Sequence, residues 1–148
     1  MDSDDNIIAL AADHAGYDLK QKVLNWLEDN GYGVIDLGTH NENSVDYPDY
    51  GKKMGQCLTS GEAARGIVIC GSGIGISIAA NRFPAVRCVQ CHDVTTARLS
   101  REHNDANVLA LGARLLGEEV IFDCIVTFLK TGFDGGERHA RRVNKLKN

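Results

Sequence analysis

No stretch of this sequence stays apolar for the roughly 20 residues that a membrane crossing needs. Basic charge is not in surplus either: 16 lysines and arginines stand against 20 aspartates and glutamates, a formal charge of −4. That balance argues against a dedicated nucleic-acid binder. No internal repeat, low-complexity tract or linker-like run divides the 148 residues, so one globular domain with a sizeable core is expected. Residues 1–6 lack the basic start of a secretory signal, and a cytoplasmic location is the expectation.

Cysteine is present, but not in a pattern that makes a disulfide framework or a metal site. Five cysteines (57, 70, 88, 91 and 124) are an odd number in a chain without a secretory signal, which fits free thiols in a reducing compartment. Cys88-Val89-Gln90-Cys91 has the spacing of redox and zinc motifs. It closes an apolar strand rather than opening a helix, however, and positions i and i+3 of a strand face opposite ways. Zinc would need a second ligand pair at similar spacing, and there is none.

What is there is a rhythm of strand and helix. Strands are expected at Ile7–Ala12, Gly33–Leu37, Gly66–Cys70, Val86–Cys91 and Asn107–Leu111. Helices are expected over Tyr17–Asn30, Asp49–Ser60, Ile74–Asn81, Val94–Glu102 and Gly117–Lys130, with a basic terminal helix from Arg138 to Lys147. Five short strands alternating with helices imply an α/β fold, a parallel sheet covered on both faces. Ligands of such sheets bind outside the carboxyl ends of the strands. Asp13 and His14 follow the first strand, Gly38 and Thr39 the second, and Cys70 to Gly75 the third.

Cys70-Gly71-Ser72-Gly73-Ile74-Gly75 is the chemically richest segment. A buried strand delivers a lone thiol to a glycine turn that opens a helix, where backbone N–H groups lack internal partners and attract negative charge. A thiol in such a field is drawn toward its nucleophilic, basic form. The turn is not a nucleotide fingerprint. A P-loop ends in Gly-Lys-Ser/Thr, and the dinucleotide motif needs a glycine where Ile76 stands. A cysteine phosphatase would carry an arginine at that same position. Acid–base or nucleophilic chemistry on an anionic small molecule is the reading that remains.

Other polar positions admit two readings each. Asp13 can orient the imidazole of His14, or the two can be a structural pair. His103 precedes the fifth strand and so belongs at the amino end of that strand, away from the other candidates in the same subunit. It is either unrelated to the thiol turn or serves the site of a neighbouring subunit. Arg138 and Arg142, four apart, share a helical face that suits a phosphate or simply water. Arg114, after the fifth strand, is a further candidate phosphate contact.

Together these segments resemble the ribose-5-phosphate isomerase B family, within the group that includes allose- and galactose-phosphate isomerases. The matching landmarks are Asp13-His14-Ala15-Gly16, Asp46-Tyr47-Pro48, Cys70 through Asn81, His103 through Leu109, and Gly136 through Val143. Glu137 falls where the family's arginine often follows glycine directly. The resemblance implies a Rossmann-like doubly wound subunit and a homodimer, in some members a tetramer, with active sites shared between subunits. It implies interconversion of D-ribose 5-phosphate and D-ribulose 5-phosphate through a cis-enediolate, a step of the pentose phosphate route, with no metal or organic cofactor.

By position, Cys70 resembles the base that moves the proton between C2 and C1. Some relatives carry a glutamate four residues later; here Ile74 stands there. His103 resembles the acid that opens the furanose ring. Asp13 and Ser72 line the reacting centre, and the turn of Gly71, Gly73, Ile74 and Gly75 faces the developing oxyanion. His14, Arg114, Arg138 and Arg142 resemble phosphate ligands, and Tyr47 and Asn104 sugar ligands. Three alternatives stay open: a hexose 6-phosphate isomerase on the same scaffold, a non-catalytic sugar-phosphate binder, and a redox protein using Cys88 and Cys91.

Overall fold

Alternation of side chains along the strands decides the layering of the molecule. In the computed structural model, which describes residues 6–147, Ile8, Leu10 and Ala12 of strand β1 (Ile7–Ala12) face one core. Ala9 and Ala11 of the same strand face a second core. The same two-residue period splits Ile67 and Ile69 from Val68 and Cys70 on β3 (Arg65–Cys70), and Leu109 and Leu111 from Val108 and Ala110 on β5 (Val108–Gly112). With β2 (Gly33–Asp36) and β4 (Cys88–Gln90), these strands form one parallel sheet in the order β2-β1-β3-β5-β4.

The first core is closed by α1 (Tyr17–Asp29), α4 (Val94–Asn104) and α5 (Glu118–Lys130). The second is closed by α2 (Tyr47–Ser60) and α3 (Ile74–Ala80). Its sheet face is lined with alanine, so these two helices sit close to the strands and to each other. A Cβ added at Gly51 of α2 would lie 2.5 Å from the Ala79 Cβ of α3. The terminal helix α6 (Glu137–Lys145) packs on α4. The expected five-stranded parallel α/β architecture, covered on both faces, is therefore what the chain forms. Among the described residues, no helix is long and apolar enough to cross a membrane.

Several element ends differ from expectation, and three have a visible local cause. Helix α2 starts at Tyr47, two residues early, because Pro48 is accommodated in its first turn. Strand β4 is three residues long rather than six. It lies at the sheet edge, where Asn81 takes the place of a further strand: its side chain donates to the Cys88 carbonyl at 2.8 Å and accepts from the Cys88 N–H at 2.7 Å. Helix α4 runs on to Asn104, and Asp105 ends it with a left-handed φ of 46°. The Asp105 carboxylate is held by Arg101 at 3.0 Å and Arg87 at 3.2 Å, which offsets that conformation.

Candidate active site

Strands β1 and β3 are neighbours, with Ala12 beside Ile69, yet their following helices lie on opposite faces of the sheet. The carboxyl ends of such a strand pair open a crevice where α/β proteins hold ligands. On the β1 side, Asp13 is buried and its Oδ1 accepts the Gly16 N–H at 3.1 Å, capping a single 3-10 turn over His14–Gly16. His14 Nδ1 accepts the Val45 N–H at 3.1 Å. With Nδ1 occupied as an acceptor, the ring's proton sits on Nε2, which is left to donate to an anion.

On the β3 side, Cys70 is buried and its Sγ accepts the Gly73 N–H at 3.1 Å. The Ile74 N–H is taken by Ser72 Oγ at 3.2 Å. The turn thus differs from an open row of N–H groups: short side chains within it bond its own backbone. Gly73 has a φ of 79° and packs so tightly on β5 that an added Cβ would lie 2.9 Å from the Leu111 carbonyl carbon. Only glycine meets both demands. The Arg114 guanidinium lies over Gly71, 3.4 Å from where a Cβ would stand, and the Tyr47 ring covers Gly75. Asp13, His14, Tyr47, Cys70, Ser72 and Arg114 are thereby gathered around the strand ends.

Four other sequence candidates lie elsewhere. His103 and Asn104 occupy the last turn of α4, ahead of β5, while Gly112 and Arg114 follow that strand's other end. The four residue steps between Val108 and Gly112 alone span roughly 13 Å. Arg138 and Arg142 are exposed on α6, the helix packed on α4. His103 stacks on His139 of α6 with centroids 4.5 Å apart. One chain therefore carries two separate polar groups, one at each end of the strands of its sheet.

Comparison with known proteins matches the Ribose/Galactose Isomerase family over residues 8–146. The chain belongs to this family. The ribose-5-phosphate isomerase B of Clostridium thermocellum is 52% identical and superposes with a TM-score of 0.93, covering 95% of each chain. The ribose-5-phosphate isomerase B of Escherichia coli is 42% identical over 94% of this chain and 93% of its own. The D-erythrulose-4-phosphate isomerase of Pectobacterium atrosepticum is 39% identical over 94% of this chain and 91% of its own. The family's members thus include enzymes named for sugar phosphates of different lengths.

In this isomerase-family fold the remaining thiols are sealed. Burial pushes the Cys57, Cys88 and Cys91 thiols up, and Cys124 up to about 11. Cys88 and Cys91 face different cores on either side of the sheet, so the spacing that suggested a redox pair leads nowhere. Three side chains that sequence patterns do not reveal shape the polar groups instead. Gln90 donates through Nε2 to the Ser72 carbonyl and pins the thiol turn to β4. Lys20, fully buried, binds both oxygens of Asp36 at 2.6 and 2.7 Å, and Asp36 accepts the Gly38 N–H at 2.9 Å. That pair anchors the start of the loop whose Val45 orients His14. His139 is the third.

Proposed function

We propose that this chain is an aldose–ketose isomerase acting on D-ribose 5-phosphate and D-ribulose 5-phosphate, and that it works as a homodimer. Each site draws Cys70, Asp13, Ser72 and Tyr47 from one subunit and His103 and Asn104 from the other. The observation that carries the reading is the Cys70 sulfur, held by the Gly73 N–H beneath a crevice that Arg114 and His14 border. The two polar groups at opposite ends of the strands support sharing, because Cys70 and His103, the residues that resemble the family's base and acid, fall in different groups. Ile74 and Ile78, 51% and 59% exposed on α3 just after the thiol turn, offer an apolar strip for a second copy.

The phosphate is gripped by Arg114 and His14, with Arg138 and Arg142 of the partner subunit, and this remote binding energy positions the sugar. His103 of the partner subunit protonates ring oxygen O4 as the C1–O4 bond breaks with its electron pair on O4. The O1 proton passes to water as C1=O1 forms. The Cys70 thiolate then takes the proton from C2, and the electron pair moves through C1–C2 to O1, giving the cis-enediolate. The thiol returns its proton to C1 while the O2 proton passes to O1, leaving the C2 ketone. In the turn, the Gly71 and Gly75 N–H groups stabilise the charge on oxygen, while those of Gly73 and Ile74 are held by Cys70 Sγ and Ser72 Oγ; removing one such donor in other enzymes costs about 10²–10³ in rate.

The test is isomerisation of ribose 5-phosphate, allose 6-phosphate, galactose 6-phosphate and erythrose 4-phosphate side by side, in buffer with EDTA. Fastest turnover of the pentose phosphate, insensitive to chelator, is expected. Faster turnover of another length would keep the mechanism and change the substrate, a reading favoured by the D-erythrulose-4-phosphate isomerase relative. Turnover of none would leave a sugar-phosphate binder. Cys70→Ala is expected to abolish turnover and retain sugar-phosphate binding by calorimetry; an active variant removes Cys70 from the mechanism.

A further inference from the structure

The stacked imidazoles on α4 and α6 are not equivalent. Their planes are 11° apart, but His103 is exposed while the His139 side chain is only 15% exposed. His139 is the inner ring, and its Nε2 lies 3.9 Å from the Asp134 carboxylate. The Asp134 N–H donates to the Glu102 carbonyl at 3.1 Å, one residue before His103. Arg101 Nε donates to the Thr131 carbonyl at 3.0 Å. The segment leading into α6 is therefore fastened at two points to the helical turn that carries His103. Whatever fixes His139 in space is referenced to the backbone of its stacking partner.

An exposed side chain on the last turn of a helix has little to choose its ring plane. A flat aromatic floor supplies that choice, because offset stacking favours one plane for the outer ring. We propose that His139 is a positioning residue for His103, holding the outer imidazole in the plane from which it delivers a proton to the sugar's ring oxygen. This rests on the reading of His103 as the ring-opening acid.

Ring opening and closing interconvert the α and β anomers of ribose 5-phosphate, so the step can be watched without isomerisation. In the full-length Cys70→Ala protein, NMR magnetisation exchange between the anomers is expected to run faster than in buffer. Adding His139→Ala is expected to cut that acceleration roughly 10- to 100-fold, the cost of a small misplacement of a reacting group. Adding His139→Phe, which keeps a flat ring and discards the nitrogens, is expected to restore most of it. If Cys70→Ala gives no acceleration, the reading of His103 fails and the proposal with it. If His103→Ala abolishes acceleration but His139→Ala does not, the proposal alone is overturned. Loss in both the Ala and Phe variants overturns it too, since the ring plane is then not what matters.

Discussion

At the scale of single residues, the most demanding group is the ammonium of Lys20. It has no solvent contact, and its partner Asp36 is only partly exposed. Asp36 also accepts the Gly38 N–H, so one carboxylate both compensates a buried charge and fixes the chain that leads to Val45 and His14. Asp36→Asn keeps an acceptor for Gly38 but leaves the ammonium without a counter-charge. Removing one partner of such a pair is strongly destabilising, here about 3 kcal/mol because solvent reaches Asp36. In thermal unfolding that is a fall of roughly 10 °C for a chain of this size. Combining it with Lys20→Met removes the orphaned charge and should recover most of the loss, since deleting both partners of a buried pair is close to neutral. A double variant as unstable as Asp36→Asn would show that the ion pair is not the source of the effect.

At the scale of elements, α4 is the part that carries His103 to the amino end of the strands. Its start is set by Asp93, whose carboxylate accepts the Thr96 N–H at 2.7 Å. The hydrogen bonds from Thr96 hold the Asp93 carboxyl below the ordinary aspartate value. A depressed carboxyl contributes stability that is complete above its unfolded value and is lost as pH falls through the lower folded one. Asp93→Ala is thus expected to lower the melting temperature by about 2–4 °C at neutral pH, and by less under acid conditions. An equal deficit at all pH values would count against the cap. This element was readable from its periodicity up to Glu102, but its last turn was not. Asp105 reads as an ordinary polar loop residue until Arg87 and Arg101 are seen converging on it. The alternation of strands and helices and the thiol turn were legible because hydrophobic period and glycine placement are local signals. Gln90 on Ser72, Lys20 on Asp36 and His139 on His103 were not, because each joins elements separated in sequence through side chains of no local pattern.

At the scale of the whole molecule, the decisive matter is that Cys70 and His103, the proposed base and acid, stand at opposite ends of the strands of one sheet. A shared site makes a quantitative claim about mixed dimers. Cys70→Ala and His103→Ala chains, each inactive alone, form heterodimers in which one site pairs two defects and the other pairs two intact residues. Equal, random mixing after joint refolding makes half the dimers mixed, each with one working site of two, so about a quarter of wild-type activity should return. The converse mixture is as informative. A chain carrying both substitutions contributes a defect to each site of any dimer it joins. Refolding it in excess with the wild-type chain should silence the wild-type subunits, whereas sites built within one chain would leave every wild-type subunit active. Recovery in the first mixture with silencing in the second requires sharing. Neither effect, in the presence of heterodimers detected by native mass spectrometry, would mean that Cys70 and His103 do not meet across a subunit boundary.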